Sequence, residues 1–344
     1  MMRSTSDDTP PMSEPLSFGS DQAPGIRRIG AKRIRYLNDV TGEPASDADL
    51  ERIRALAIPP AWTQVWIAAD PRSHLQATGR DARGRKQYRY HNAFIASRAE
   101  NKFADLVAFG FSLGGLRRRV ARDLARNDLG HDRVVATVIR LMDITSLRIG
   151  NVEYATTNKS FGLTTLRNQH VAVRGSTIRL AFRGKSAHNF DVRVDNARLA
   201  RIVRHCQHLP GQQLFEYRSE GGDIRRVSSN DVNSYLGDHA GPGVTAKTFR
   251  TWNATVRAAD GLAAASEHAE PTSRVLNDVI DSVADHLGNT RAVCRSSYVH
   301  PAVIESYIQG TLLPGWHRPV GAKPAALTVI ERKTLRLLKR ASAP

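Results

Sequence analysis

The sequence predicts an α+β protein with two folded domains. A small, mixed β-rich domain is expected at residues 25–92, and a larger, mainly helical domain with a small antiparallel sheet at residues 93–315. Three observations carry this. Short runs before residue 92 alternate between apolar and polar residues. From Asn92 the apolar period becomes helical. Near the middle, three short strand-like runs, HVAVRG, STIRLAFRG and NFDVRV, interrupt the helical pattern.

The elements follow in order. Residues 1–24 are acidic and rich in Ser and Pro, so a disordered tail is expected. IRRIGAKRIRYLN, beginning at Ile26, reads as a strand, and DVTGEP as a turn. Ser46 is placed to cap a helix over DADLERIRALA, with Asp49 in its first turn. TQVWIAA, after Pro59-Pro60, reads as another strand, and the basic stretch GRDARGRKQYRYH closes the small domain. Helices are expected over NAFIASRAENKFADLVAFGFS and HDRVVATVIRLMDIT. Lys185 falls in the turn Gly184-Lys185-Ser186-Ala187, between the second and third strands of the inserted sheet. Further helices are read in NARLARIVRHCQ and in AKTFRTWNATVRAADGLAAA, the latter with Thr245 as its cap. RVLNDVIDSVADHL is capped by Thr272 or Ser273 and closed by Gly288. A short helix in PAVIESYIQG follows. Residues 316–344 form a basic C-terminal extension, whose amphipathic helix over 327–340 either packs on the larger domain or adds affinity for a polyanion.

Charge narrows the partner. Lys and Arg total 50 against 33 Asp and Glu, a formal net charge of +17. The first 24 residues hold one arginine against four acidic residues, so the folded part is more basic than the whole. Such an excess points to a polyanion, of which nucleic acid is the commonest. The plain alternative is a chain kept soluble by its charge. The two cysteines, Cys206 and Cys294, have neither metal-type spacing nor a disulfide framework, which suits a reducing compartment. No apolar run approaches the roughly 20 residues needed to span a bilayer, and the N-terminus lacks a secretory apolar segment. A cytoplasmic location is expected.

Four segments could carry chemistry: Ser-Leu-Arg148-Ile-Gly, Phe-Arg-Gly-Lys185, Lys247-Thr-Phe-Arg250, and the run from Leu287 through Asn289 to Tyr298. Taken singly, each has an ordinary structural explanation. Lys247 and Arg250, three apart, share a helix face, and Gly288-Asn289 is normal helix-stop chemistry. In this order and spacing, together with DPRSHLQATGRDARGRKQYRYH in the first domain, they resemble the type IB DNA topoisomerases, especially the small bacterial and viral ones. The resemblance runs from about Ile26 to about Gly310.

The resemblance implies the tyrosine recombinase/topoisomerase IB catalytic fold and relaxation of supercoiled duplex DNA through a 3′-phosphotyrosyl intermediate. It implies that Tyr298 is the nucleophile and that Arg148 and Arg250 bind the scissile phosphate. Lys185 matches the general acid, and Lys247 a basic residue on the helix of Arg250. Asn289 stands where many relatives have a histidine; its amide can donate a hydrogen bond but cannot carry charge. His286, one helical turn earlier, is a candidate stand-in. Duplex contacts are implied for Arg83, Arg85, Gln87, Tyr88, Tyr90 and, more weakly, Tyr154. A nucleoid-associated monomer clamping the duplex follows by analogy.

The residue types suit that chemistry. Arginine's planar fork donates two parallel hydrogen bonds to a phosphate and stays charged. A lysine whose pKa is depressed by neighbouring cations can protonate a departing 5′-oxygen. No carboxylate cluster suggests a two-metal site, and no GxxxxGK[ST] motif suggests ATP, so no cofactor is expected. No general base for the phenol stands out. A tyrosine site-specific recombinase is the main alternative, but that family usually carries His-x-x-Arg where this chain has Lys247-x-x-Arg250. A non-enzymatic DNA-binding protein would have no need of Tyr298.

Overall fold

Val65 and Ile67 point to one side of a strand and Trp66 and Ala68 to the other, and both pairs are buried. That strand lies at the centre of a five-stranded sheet. The computed structural model describes residues 15–30, 33–82, 84–266, 270–312 and 327–342. It divides into two units, Met1–Lys102 and Phe103–Pro344.

In the first unit, β1 (Gly25–Ile29), β2 (Arg35–Asn38), β3 (Thr63–Ala68), β4 (Leu75–Arg80) and β5 (Lys86–Tyr90) form an antiparallel sheet in the order β2-β1-β3-β4-β5. Helix α1 (Asp47–Ala55) is capped by Ser46, whose hydroxyl accepts from Asp49 N at 3.2 Å, as the sequence predicts. Ile53 joins Ile26, Trp62, Val65, Ile67 and Ala77 in one core cluster, while Trp66, Ala68 and Leu75 form a second with Tyr90. IRRIGAKRIRYLN is two strands rather than one: Gly30 turns left-handed (φ +84°), and β2 folds back on β1.

The expected disordered tail is corrected over residues 15–24, which run along this sheet. Ser17 bridges Ser73, Asp21 pairs with Lys86 at 2.5 Å and accepts from Thr78, and the Ala23 carbonyl accepts from the Trp66 indole at 3.0 Å. Asp21, one of the acidic residues of the expected disordered tail, is thus used against the basic strand β5. Residues 1–14 lie outside the described residues.

The second unit takes in α2 (Asn92–Leu124) from Phe103 onward, then α3 (His131–Thr145) and α4 (Val152–Asn158). The three predicted strands, β6 (Val171–Arg174), β7 (Thr177–Arg183) and β8 (Asn189–Asp195), form an antiparallel meander, with Ile178, Leu180 and Phe182 of β7 turned inward. Then come α5 (Ala197–Gln207), the hairpin β9 (Glu216–Arg218) and β10 (Ile224–Arg226), α6 (Ser229–Ala240), α7 (Ala246–Ser266), α8 (Ser273–Leu287), α9 (Arg291–Ser297), α10 (Pro301–Ile308) and α11 (Val329–Ala341). Thr272 caps α8 and Gly288 closes it in the left-handed conformation. α7 runs through the core, burying Phe249, Trp252, Ala258, Ala259 and Leu262 against neighbours that include α3, α8, α10 and α11.

The two readings of the C-terminal helix part here. α11 packs into this unit, burying Thr334, Leu335, Leu337 and Leu338. Its Glu331 sits opposite the Arg117 fork, which Asp143 engages from the other side, and also accepts from the Trp252 indole. Burial would raise the Glu331 carboxyl, but Arg117 more than offsets this and holds it below the usual carboxylate range. Removing one member of such a buried set strands the others' charge. Residues 313–326 of the extension lie outside the described residues.

Leu338→Ala is therefore expected to destabilise the protein by about 2–5 kcal/mol, read as a lower midpoint in urea unfolding. A helix serving only as a polyanion-binding tail would leave the midpoint unchanged.

Candidate active site

Arg250 is 3% exposed, yet its guanidinium meets main-chain carbonyls rather than a carboxylate. Nη1 donates to Ser146 O and Nη2 to Leu287 O at 2.8 Å, so one side chain of α7 ties together the C-terminal ends of α3 and α8. Its Nε is buried and, among the described residues, has no hydrogen-bond partner. Burial first, and then repulsion from Arg148, pull its pKa down to about 10.

The backbone around Arg148 is pinned. α3 ends at Ser146, left-handed with φ 58°, and the Asn253 amide of α7 donates to Ser146 Oγ at 3.0 Å and Asp143 O at 3.1 Å. The Arg148 carbonyl accepts from Leu163 N and the Ile149 carbonyl from Thr164 N. From this fixed base the side chain reaches Gly288 O at 3.5 Å and Asn289 Oδ1. With its oxygen turned to Arg148, Asn289 keeps Nδ2 buried and without a hydrogen-bond partner among the described residues.

Tyr298 follows directly on α9, which Thr290 caps and which Arg291 ties to Asp281 of α8. Its ring lies 5.4 Å from the Arg250 guanidinium. The Tyr298 carbonyl accepts from Thr255 Oγ1 at 3.2 Å, and that hydroxyl in turn accepts from His300 N at 3.1 Å. α7 therefore addresses the tyrosine twice, at the ring through Arg250 and at the main chain through Thr255. Burial would raise the phenol's pKa, but Arg250, Arg148 and Lys247 outweigh it, and the net shift is downward.

Lys185 is exposed at the β7–β8 turn, and Lys247 is exposed on the first turn of α7. Both line a cavity of about 240 Å³ together with Arg148, Arg250, Gly150 and Phe161. The structure thus gathers all six catalytic candidates picked from the sequence. Four line the cavity; Asn289 joins through Arg148 and Tyr298 through Arg250. The arrangement concentrates cations beside a phenol whose ionised form they favour, which suits attack on an anionic phosphoryl group.

His286, considered as a stand-in for a charged group, is pushed down to about 4, by burial first and then by Arg257 and Arg250, so it is neutral at pH 7. Among the residues suggested for duplex contact, Arg85 and Gln87 both donate to Asp81, at 2.7 and 2.9 Å. Tyr88 and Tyr90 stack on one face of β5 with centroids 6.0 Å apart; Tyr88 is 45% exposed and Tyr90 is half-buried in the core. Tyr154 lies on α4, but its side chain, like Arg83, lies outside the described residues.

Sequence reasoning missed Asn253 and Thr255, which share a helix with Arg250 and whose side-chain hydrogen bonds, among the described residues, go to backbone groups or Ser146. It also missed the packing of His188 and Phe190 on Gly288. Helix phase could have placed Asn253 beside Arg250; nothing local marks the other contacts as functional.

Comparisons with known proteins point one way. Residues 91–311 match the family model described as eukaryotic DNA topoisomerase I, catalytic core, and residues 34–81 match that for the bacterial DNA topoisomerase IB N-terminal domain. The chain is 34% identical over 289 residues to DNA topoisomerase 1B of Acanthamoeba polyphaga mimivirus, covering 81% of this chain and 86% of that protein. It is 28% identical to DNA topoisomerase 1 of Mycosarcoma maydis over 41% of this chain and 15% of that protein. It is 24% identical to DNA topoisomerase I of Monkeypox virus over 47% of this chain and 52% of that protein.

The phenol is expected to titrate below the ordinary tyrosine range, seen as an ultraviolet difference signal lost in Tyr298→Phe. In Arg250→Gln the midpoint should move up, because the phenolate loses its nearest cation. A midpoint indifferent to that substitution would show that the guanidinium does not set it.

Proposed function

The chain belongs to the type IB DNA topoisomerases, and from that premise we propose how its residues divide one reversible transesterification on DNA. The enzyme relaxes supercoiled duplex by cutting one strand, letting it rotate and resealing it, without ATP or metal. The observation that carries the residue assignment is Arg250, buried against the Tyr298 ring with carbonyl partners and, among the described residues, no carboxylate. A guanidinium neutralised by an acid would have little left for a phosphate.

In the forward step the Tyr298 phenol loses its proton to solvent, and its oxygen attacks phosphorus. The P–O5′ bond breaks as the Tyr–phosphate bond forms. Arg148 and Arg250 stabilise the charge on the non-bridging oxygens, and Asn289 Nδ2 donates to one of them. The Lys185 ammonium protonates the departing O5′, and Lys247 adds positive potential from the cavity rim. Religation is the reverse: the free 5′-hydroxyl attacks the 3′-phosphotyrosine and returns its proton to Lys185. Because one phosphodiester replaces another, the step needs no external energy.

The protein binds double-stranded DNA. We propose that it does so as a monomer at the nucleoid, with Arg83, Arg85, Gln87, Tyr88, Tyr90 and Tyr154 meeting the duplex. For Arg85 and Gln87 this requires exchanging Asp81 for a phosphate, and affinity that falls steeply with salt is the signature of such contacts.

Supercoiled plasmid in EDTA without ATP is expected to be relaxed by the native protein and not by Tyr298→Phe, and a denaturant-stable adduct should sit on the 3′ side of the nick. Arg148→Ala and Arg250→Ala should each slow single-turnover cleavage by about 10²–10³-fold. Equal relaxation by native protein and Tyr298→Phe would remove Tyr298 from the assignment.

A further inference from the structure

The turn that carries Lys185 holds an unfavourable backbone. Ser186 and Ala187, consecutive non-glycine residues, are both left-handed, with φ of 60° and 63°. Such residues persist where the surroundings over-determine them. The flanking residues supply that support. Gly184 N donates to His188 O at 2.7 Å and His188 N to Lys185 O at 3.4 Å, which closes the turn on itself. Beyond it, the His188 ring meets Phe190 edge-on at 4.6 Å.

Both rings rest on Gly288. A Cβ there would stand 2.7 Å from Phe190 Cζ and 2.8 Å from His188 Cδ2, so only a glycine admits them. Phe190 reaches back to the turn as well, lying 2.6 Å from where a Cβ on Gly184 would be. Gly288 is also the residue whose carbonyl accepts from Arg148 and which precedes Asn289. The turn of the general acid and the corner of the phosphate-binding pair thus meet at one α-carbon.

We propose that His188 is a positioning residue for Lys185: its ring, seated on Gly288 and against Phe190, docks the Lys185 turn onto the corner that holds Arg148 and Asn289. This rests on the reading of Lys185 as the general acid. Although His188 is exposed, its contacts at this seat are made by the ring, through Cδ2 and Cγ against Gly288 and edge-on to Phe190. Without it, the strained turn loses its outer contact and the ammonium is no longer held within reach of the departing oxygen. Small misplacements of this kind cost rate steeply.

The test uses single-turnover cleavage of a duplex whose strongest cleavage site has first been mapped with the native protein. It is run with the ordinary phosphodiester and with a 5′-bridging phosphorothiolate at that site. A thiol near pKa 8.5 leaves without a proton, so the thiolate substrate bypasses the general acid. Lys185→Ala is the control: slow on the ordinary substrate and near native on the sulfur one. His188→Ala should cleave the ordinary substrate about tenfold more slowly than native and the sulfur substrate at close to the native rate, while His188→Phe, which keeps a ring, should recover most of the loss. Both substrates are run on one preparation, so any inactive fraction cancels. If sulfur repairs Lys185→Ala but not His188→Ala, if His188→Ala is as fast as native, or if phenylalanine restores nothing, the proposal fails. If sulfur fails to repair Lys185→Ala itself, the general-acid reading falls and this inference with it.

Discussion

The site hangs on a buried guanidinium that no carboxylate among the described residues neutralises. Arg250 is held by carbonyls at the ends of two helices, faces the Tyr298 ring, and stands near enough to Arg148 to be pulled down by it. Taken alone this is unfavourable: a cation in a poorly solvated place, beside another cation. Its cost is offset by the apolar packing of α7, whose Phe249 and Trp252 flank Arg250 in sequence and are almost wholly buried. The chain spends packing energy to keep charge available, a bias expected where a phosphate completes the balance on binding.

The same helix explains why the tyrosine is near its arginines at all. α9 is short and ends at Tyr298, so it needs outside support. Thr255 supplies this at the main chain, while the Arg291–Asp281 pair anchors the helix start to α8. Asn289 then has its oxygen committed to Arg148 and its nitrogen left over. The amide can replace an imidazole as a donor in this geometry, and the neighbouring His286 adds no charge because it stays neutral.

Much of the fold could be read from pattern. The meander β6–β7–β8 follows from alternation, α8 from Thr272 and Gly288, and α1 from Ser46. β4 was not legible, because five of its six residues are buried and no alternation marks it; β9 and β10 are three residues each, and α6 was passed over although Ser228 and Asp231 form a capping box at its start. The six candidate residues were found through family spacing, and no single one stood out from its neighbours. What could not be read were long-range contacts: the hold of Thr255 on Tyr298, the carbonyls that receive Arg250, and the rings seated on Gly288. These depend on which helix ends converge, and local propensity carries no information about that.

α11 ties the stability of its unit to the site. Its Glu331 completes the Arg117–Asp143 set and receives the indole N–H of Trp252, two residues from Arg250. A change that loosens α11 leaves that indole without its acceptor and the Arg117 fork half-engaged. Damage at a helix remote in sequence from Arg250 is thus felt on α7, the helix that carries it.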